Sequence, residues 1–467
     1  MRILALDQGT TSTRLLQADG TTLTVLGQMR HQTRYPAPLR VEQDAEQILA
    51  NCRTLLAAAG PADAIGLANQ GESCLAWDRI TGAPLSPLVV WQDRRTMADL
   101  AVLADQGLAP PVAARAGLPL DPYFSAAKLG WLLRKVPAVA AACAKGRLCL
   151  GTSDAFLLHR LSGHFATDRA TASRTSLMNL TTGTWDAELC RIFGVPIACL
   201  PEIRGTIAGF GHFGPTPVTA ASVDQQAALY GHGCRTAGDT KITFGTGAFA
   251  LAVTGATRPA PTNGILPTVA WDLGPGITYA LEGGVQDAGS AVEWAVQAGL
   301  ADDVAAFDGF ANRPAIDRGL VFLPFFSGLG APQWDRSAAP MMIGLAPEMT
   351  RRDICQALLE GIAWQTATVL DAMALNLPLS VPISVDGGLS VSRYFTRFLA
   401  QISQRPILVS SHSEKTSFGT AALAALALGE TLQPPACAVT VETPAPAQPG
   451  WVAMFERGLE RARGWNA

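Results

Sequence analysis

Short apolar runs that end at turns rich in Gly and Thr recur along this chain. Residues 2–6 are an apolar run that ends at the sequence Asp-Gln-Gly-Thr-Thr, and residues 13–18 follow as a second strand. Residues 240–254 repeat this layout around a Gly-Thr-Gly turn. The pattern predicts two hairpins of the same shape, one in each half of the chain. On layout alone, it indicates a weak internal duplication.

Strands alternate with helical segments between and beyond the two hairpins. Residues 64–68 and 383–388 are further apolar strands. Positions with helical periodicity lie at residues 44–59, 125–146, 154–160, 223–231, 287–298, 352–375, 391–403, 416–428 and 451–464. Strands that alternate with helices are typical of α/β proteins, so α/β is the predicted fold class.

The pattern of strands and helices is interrupted near the middle of the chain. A Gly-rich stretch at residues 231–238 separates the two halves. We therefore expect two domains, residues 1–233 and residues 234–467, which suits a chain of 467 residues. The Pro-rich stretch at residues 434–449 is expected to be a linker or an irregular crossing.

Composition excludes several classes of protein. Hydrophobic residues make up 48% of the chain and charged residues 16%, which is typical of a well-buried globular protein. The net charge of −3 provides no basic excess, so we expect no nucleic-acid partner. No apolar run is long enough to predict a membrane span. The nine scattered Cys include no CxxC pair and favour a reducing, cytoplasmic location over a disulfide framework or a zinc site.

The Gly/Thr turns are the first candidates for chemistry. A turn that follows a strand exposes backbone N–H groups and hydroxyls, which suit a phosphate. Asp7 could hold Mg²⁺ directly or through water, and Arg14 could neutralise phosphate charge. A tight hairpin explains each turn equally well when it is taken alone. The chain has no GxxxxGK[ST] segment and no strand that leads into GxGxxG, which argues against P-loop and dinucleotide-binding folds.

A carboxylate at the start of a predicted helix is the candidate for acid–base chemistry. Phosphoryl transfer to an alcohol needs a base that accepts the hydroxyl proton. Asp224 could be that base, although an Asp at a helix start is more often an N-cap. The paired glycines at residues 387–388 would let the backbone approach a flat ligand, or would simply form a turn from strand to helix.

Ten segments in a consistent order resemble the FGGY carbohydrate kinases, and within that family the glycerol kinases. They are DQGTTSTR at 7–14, NQGE at 69–72, VWQDRRT at 90–96, DPYFS at 121–125, ASRT at 172–175, DQQAA at 224–228, FGTG at 244–247, ALEG at 280–283, GLGAP at 328–332 and VDGG at 385–388. The resemblance spans roughly residues 2–430. It implies two ribonuclease-H/actin-like ATPase domains with ATP and Mg²⁺ in the cleft between them.

The resemblance also implies roles for individual residues. Asp224 matches the catalytic base, and Asp7 would lie beside Mg²⁺. Nucleotide or phosphate contacts are implied for Asp7, Thr10, Thr11, Arg14, Thr246, Gly247, Gly388, Leu389 and Ser392. Substrate contacts are implied for Glu72, Trp91, Tyr123, Asp224, Gln225 and Phe249. Carboxylates and amides hydrogen-bond hydroxyls, while aromatic rings cover a carbon skeleton.

The chain departs from the resemblance at two positions. Gly71 stands where glycerol kinases carry Arg, so a guanidinium is missing and a hole is expected beside the substrate. Ser392 replaces the Asn commonly found near the adenine. Loss of charged donors at a site that reads hydroxyls can change specificity by orders of magnitude.

Three functions therefore remain open. The chain is either a kinase of glycerol, or a kinase of another polyol or ketose of the erythritol, xylulose or ribulose type. A more remote alternative is an actin-like ATP-binding sensor without catalytic activity. In the first two cases the partners are a small polyol or sugar and ATP or ADP. A homodimer is expected only by analogy with the family.

Overall fold

The computed structural model describes residues 1–310, 313–446 and 448–466. The helices of these residues are α1 (Ala45–Ala59), α2 (Met97–Asp105), α3 (Ala109–Ala116), α4 (Ser125–Lys135), α5 (Pro137–Ala144), α6 (Ser153–Ser162), α7 (Arg169–Ser173), α8 (Ala187–Phe193), α9 (Asp224–Gly231), α10 (Gly289–Gln297), α11 (Arg351–Ala374), α12 (Arg393–Ser403), α13 (Lys415–Leu426) and α14 (Trp451–Ala462). Within the described parts of the chain, no helix is long and apolar enough to cross a membrane.

The strands of the first half supply a main sheet and a smaller one. They are β1 (Arg2–Gln8), β2 (Ser12–Asp19), β3 (Thr22–Arg30), β4 (Thr33–Arg34), β5 (Glu42–Gln43), β6 (Ala64–Asn69), β7 (Cys74–Asp78), β8 (Leu88–Val89), β9 (Leu148–Thr152), β10 (Ala166–Asp168), β11 (Met178–Asn179), β12 (Thr184–Trp185), β13 (Glu202–Arg204), β14 (His212–Phe213) and β15 (Thr216–Val223). The main sheet has the order β14-β15-β6-β1-β2-β3. The smaller sheet has the order β4-β5-β8-β7-β9.

The strands of the second half form one large sheet and a short pair. They are β16 (Thr240–Phe244), β17 (Ala248–Gly255), β18 (Leu266–Asp272), β19 (Ile277–Val285), β20 (Val321–Leu323), β21 (Met341–Ile343), β22 (Ile383–Gly387), β23 (Ile407–Ser410) and β24 (Val439–Glu442). The large sheet has the order β18-β19-β17-β16-β22-β23-β24.

The two main sheets share one topology. In the first, β1 pairs antiparallel with β2 and parallel with β6, which in turn pairs parallel with β15. In the second, β16 pairs antiparallel with β17 and parallel with β22, which pairs parallel with β23. Both predicted hairpins therefore lie at equivalent places in two similar sheets. This arrangement supports the internal duplication that the layout of the sequence indicated.

Helices α9 and α13 lie between the two main sheets. Their apolar residues share one core with β1 and β17, and that core includes Ile3, Leu229, Leu251 and Phe418. The two helices approach so closely that a β-carbon at Gly419 would lie 1.8 Å from the carbonyl oxygen of Ala227. Because α13 lies between β23 and β24 of the second main sheet in sequence yet packs against β1, β6 and β15 of the first, it ties the halves together.

Two predicted elements differ from the structure. The single helix predicted over residues 125–146 is wrong, because Pro137 opens a new helix: its ring fixes φ and leaves no N–H to continue α4. The prediction of a linker or irregular crossing at residues 434–449 is also wrong in part. That stretch contains β24, which pairs antiparallel with β23. The domain division at residues 233 and 234 stays a prediction.

Candidate active site

A cavity of about 260 Å³ lies where the carboxyl ends of β1, β15 and β16 come together. Ligands of open α/β sheets bind at such strand ends, because loops and helix starts converge there. Eleven of the residues predicted for the site line this cavity: Asp7, Thr10, Thr11, Glu72, Trp91, Tyr123, Asp224, Gln225, Thr246, Gly247 and Phe249. The cavity is smaller than the usual pocket for a drug-sized ligand and therefore suits a small substrate.

Asp224 is the first residue of α9, and its carboxylate lies in the cavity. The N-cap position is taken by Val223, so the capping role weighed from the sequence does not describe Asp224. Removal from bulk water raises the pKa of Asp224 to about 7, and the carboxylate of Asp7 also raises it, whereas Lys241 lowers it. A carboxylate with a pKa near neutrality is suited to accept a proton from an alcohol.

Lys241 supports the other polar residue at the start of α9. This fully buried lysine on β16 donates from Nζ to Oε1 of Gln225 at 2.6 Å and to Oγ1 of Thr243 at 3.0 Å. The first bond fixes the amide of Gln225, so its NH₂ group is the part left to donate to a ligand. Burial lowers the pKa of Lys241 to about 8, while Asp386 and Asp224 oppose that shift.

A buried charge cluster forms another wall of the cavity. The backbone of Glu72 has φ of 59°, a left-handed conformation that is uncommon for a residue other than Gly. Its carbonyl accepts a bond from the hydroxyl of Ser125 at 2.9 Å, which holds this conformation. The Glu72 carboxylate accepts a bond from Nε of Arg174 at 2.7 Å, and Nη2 of Arg174 donates to Glu282 at 2.7 Å.

The charges of this cluster depend on one another. Burial raises the pKa of Glu72, Glu282 raises it too, and Arg174 opposes the shift. The two glutamates in turn raise the pKa of Arg174, against the effect of its burial. The guanidinium therefore remains charged between its two partners.

Three aromatic side chains line one part of the cavity. The ring of Trp91 meets those of Tyr123 and Phe249 edge-to-face, with centroids 5.7 and 6.2 Å apart. The fully buried Lys128 donates to the carbonyl of Tyr123 at 2.9 Å and lies 3.4 Å from that of Val90, which precedes Trp91. One cation thus fixes both loops that carry the rings, and the rings can pack against a carbon skeleton.

The two Gly/Thr turns face each other across the cavity. The carbonyl of Thr10 accepts bonds from the side chain of Gln43 and lies 2.9 Å from Nε2 of His31, while its hydroxyl accepts a bond from Trp91 at 3.1 Å. The carbonyl of Thr246 accepts bonds from two N–H groups at the start of α10, each at 3.0 Å. Both turns are anchored through their carbonyls, which leaves N–H groups and hydroxyls for a phosphate.

Four residues predicted for nucleotide contacts do not line this cavity. Arg14 donates from Nη1 to both carboxylate oxygens of Glu414, at 2.6 and 2.7 Å. The hydroxyl of Ser392 caps α12 and donates to the carbonyl of Phe307 at 3.0 Å. Gly388 and Leu389 lie in the short 3₁₀ turn before that helix. Their contacts with a nucleotide stay predictions.

The hole expected beside Gly71 stays a prediction, and Val223 limits it close to the backbone. A β-carbon at Gly71 would lie 3.0 Å from Cγ1 of Val223, which is closer than an ordinary contact. Val223 therefore occupies space that a side chain at position 71 would need. Gly71 and Val223 both line the cavity, and together they form one apolar corner of it.

Two charged residues that line the cavity, Arg174 and Glu282, are absent from the predicted set. Both lie inside segments that carry the family resemblance, ASRT at 172–175 and ALEG at 280–283. Their position inside these segments was the one feature of the sequence that could have identified them. The sequence alone does not show that either charged residue reaches a cavity formed by residues about a hundred positions away.

Two domain families cover most of the chain. Residues 2–231 match the N-terminal domain of the FGGY family of carbohydrate kinases, and residues 240–428 match its C-terminal domain. A glycerol kinase of a Geobacter species is 41% identical over 91% of this chain and 90% of its own length. A glycerol kinase of Thermus brockianus is 39% identical over 99% of both chains.

Solved structures match along nearly the whole length. The glycerol kinase of Plasmodium falciparum, crystallised with ADP, superposes with a TM-score of 0.88 at 28% identity and covers 99% of this chain and 98% of its own. A ligand-bound xylulose kinase of Lactobacillus acidophilus has a TM-score of 0.84 at 21% identity, over 99% of this chain and 96% of its own, and so supports the fold alone. The predicted fold class of two ribonuclease-H/actin-like domains is confirmed.

Proposed function

The chain belongs to the FGGY family of carbohydrate kinases and phosphorylates a polyol or sugar with ATP, and we propose that its substrate is glycerol or a neutral polyol of similar size. The observation that carries the proposal is the position of Asp224. This carboxylate lies in a small cavity between two Gly/Thr turns, with a pKa raised to about 7. The relatives named glycerol kinase support glycerol as the first candidate.

In the proposed mechanism the chain positions the alcohol and removes its proton. Asp224 accepts the proton of a primary hydroxyl while the oxygen attacks the γ-phosphorus of ATP, and ADP leaves. The rings of Trp91, Tyr123 and Phe249 hold the carbon skeleton, and the amide of Gln225 donates to a hydroxyl. Closure of the two halves would exclude water, which otherwise competes as the acceptor.

Asp7 fits a magnesium ion. Desolvation raises the pKa of this cavity-lining carboxylate to about 6, with Arg14 opposing the shift, so a nearby cation would favour its charged form. Mg²⁺ prefers carboxylate oxygens and keeps several waters. When bound beside Asp7 it would neutralise charge on the phosphates of ATP.

A second candidate substrate is a longer polyol or a ketose. The observation that favours it is Gly71, because the cavity lacks the arginine that glycerol kinases carry there. Val223 limits this alternative, since it takes part of the space that a longer carbon chain would use. An ATP-binding sensor without catalytic activity is not supported, because the family consists of kinases.

A substrate panel tests the proposal. Purified protein is assayed with ATP, Mg²⁺ and each of glycerol, erythritol, xylulose and ribulose, and ADP formation is followed by a coupled assay. We expect the highest kcat/KM for glycerol. A higher kcat/KM for xylulose, ribulose or erythritol would replace glycerol with that compound. ADP release that does not respond to any of the four would contradict the proposed substrate class.

A homodimer and a cytoplasmic location also stay proposals. All nine cysteines lie among the described residues and none forms a disulfide there, which supports a reducing location. Size-exclusion chromatography with light scattering would measure the oligomeric state.

A further inference from the structure

Arg174 is a deeply buried charged residue of the cavity that the proposed mechanism leaves unused. It follows the last residue of α7, is 1% exposed and lines the cavity beside Glu72 and Glu282. Nε donates to Glu72, which belongs to the first half of the chain, and Nη2 donates to Glu282 on β19 of the second. One guanidinium therefore joins both halves at the wall of the cavity.

Among the described residues, the remaining nitrogen of this guanidinium, Nη1, has no hydrogen-bond partner, and the atom is buried. Buried polar groups in native proteins almost always have a partner, and a charged donor without one is costly. An unpartnered donor on a residue that lines a cavity therefore indicates a ligand that completes it.

The guanidinium is held in a fixed orientation. Its two ion pairs come from different segments, and its central carbon lies 5.3 Å from the ring centre of Phe124 and 5.8 Å from that of Tyr123. Because the guanidinium plane is rigid, fixing Nε and Nη2 also fixes the direction of Nη1. A donor that is fixed before the ligand arrives loses little entropy on binding.

We propose that Nη1 of Arg174 donates a hydrogen bond to a hydroxyl of the substrate, and so supplies the guanidinium contact that is missing at Gly71. The inference rests on the proposed function and specifies how that site reads its substrate. The ligand is a neutral polyol, because the carboxylates of Asp7, Glu72, Asp224 and Glu282 around the same cavity disfavour an anion. The competing interpretation is an ion-pair cluster that only joins the two halves.

Two substitutions of Arg174 distinguish these interpretations. Arg174→Lys keeps a cation between the glutamates without the planar group, and Arg174→Gln removes the charge. Each is compared with wild type on glycerol, 1,2-propanediol and 1,3-propanediol, where each diol lacks one hydroxyl of glycerol. Kinetics are measured as kcat and KM for a diol that is phosphorylated, and as Ki for a diol that only competes with glycerol.

We expect a loss that depends on one hydroxyl. For glycerol, kcat/KM falls by about 10–100-fold, which is the usual effect of a hydrogen bond to a charged group. For the diol that lacks the contacted hydroxyl, the change is less than about threefold. The matched control is Arg169→Gln, because Arg169 starts the same helix and pairs with Asp272 away from the cavity. The control is expected to leave all three ligands within about twofold of wild type.

An equal loss for glycerol and both diols would overturn the inference and support the purely structural role. A wild-type protein that phosphorylates no polyol would overturn the proposed function as well. If neither variant folds, a crystal structure of the wild type with its polyol decides. A substrate oxygen within about 3.2 Å of Nη1 supports the inference, and the absence of one within about 3.5 Å overturns it.

Discussion

Gly71 and Val223 act as a pair at one corner of the cavity. Gly71 has no side chain, and the apolar side chain of Val223 packs against the position that a side chain at residue 71 would take. The shape of this corner therefore depends on both residues. Residues in direct contact show non-additive effects when they are substituted together.

Restoring an arginine at position 71 should require removal of the valine. Gly71→Arg alone should lower kcat/KM for glycerol, because its β-carbon would lie 3.0 Å from Cγ1 of Val223. In the double variant Gly71→Arg/Val223→Gly we expect kcat/KM at least about tenfold above that of Gly71→Arg. When Val223→Gly alone leaves kcat/KM unchanged, a tenfold gain corresponds to a coupling energy of about 1.4 kcal/mol, which lies within the usual range. Val223→Gly alone is the control, and strictly additive effects would contradict the pairing.

The pH dependence of the reaction should report the raised pKa of Asp224. A raised pKa means that this acid is protonated, and unable to act as a base, below about pH 7. We expect kcat/KM to fall as the pH is lowered through 7, at close to tenfold per pH unit. Steady-state kinetics between pH 5.5 and 8 measure this.

Asp7 requires a control, because its pKa of about 6 lies in the same range. In Asp224→Asn, the residual kcat/KM should no longer change as the pH passes through 7, whereas any change near pH 6 that comes from Asp7 should remain. A wild-type profile that is flat from pH 8 to 5.5 would contradict the role given to Asp224.

Residues at the ends of strands could be predicted from the sequence, whereas Arg174 and Glu282 of the buried cluster were not predicted. Asp7 and Thr246 lie where an apolar run meets a Gly/Thr turn, so local pattern alone brings them to the edge of a sheet. Arg174 meets glutamates 102 and 108 positions away. The contacts of Arg174 with these glutamates arise only when the chain folds, so no local sequence pattern predicts them.

At the scale of elements, the crossing of α9 and α13 connects the site to the fold. Asp224 starts α9, and Gly231 ends it against the carbonyl of Lys415 at the start of α13. A β-carbon at Gly231 would lie 2.0 Å from that oxygen. Small residues at the crossing therefore determine how closely α9, which begins with Asp224, approaches α13.

Gly419→Ala should separate these helices and destabilise the protein. The new β-carbon would lie 1.8 Å from the carbonyl of Ala227, so the backbones must move apart. Overpacking costs about 1–3 kcal/mol, which corresponds to a decrease in Tm of about 1–3 °C when the 467-residue chain unfolds as one unit. Differential scanning fluorimetry measures the Tm of Gly419→Ala and of the wild type. Gly209→Ala is the control, because nothing lies within 4 Å of its β-carbon position, and an equal Tm for both variants would contradict the close crossing.

Two elements show where periodicity alone is insufficient. The apolar spacing of α4 continues into α5, and only the missing N–H of Pro137 separates them. β24 is a four-residue strand within a Pro-rich stretch, and it forms because the exposed edge of β23 provides a ladder of hydrogen bonds. Tertiary pairing determined that strand, and the sequence around it does not predict it.

At the scale of the whole molecule, two similar sheets share one cavity and one set of charged contacts. Arg14 with Glu414, and Arg174 with Glu282, join side chains from opposite halves of the chain. The phosphate-facing turns also come one from each half. The proposed substrate contacts and the contacts between the halves therefore lie together, which is the arrangement expected of an enzyme that closes around its ligands.

The central claim, that this cavity transfers a phosphoryl group with Asp224 as the base, is tested most directly by turnover of Asp224→Asn. Steady-state kinetics with saturating ATP, Mg²⁺ and the best polyol of the panel give kcat for both proteins. Binding of ADP by calorimetry shows that the nucleotide site is intact. We predict a kcat about 10²–10⁴-fold below wild type with an unchanged affinity for ADP. A kcat within a few-fold of wild type would contradict the account.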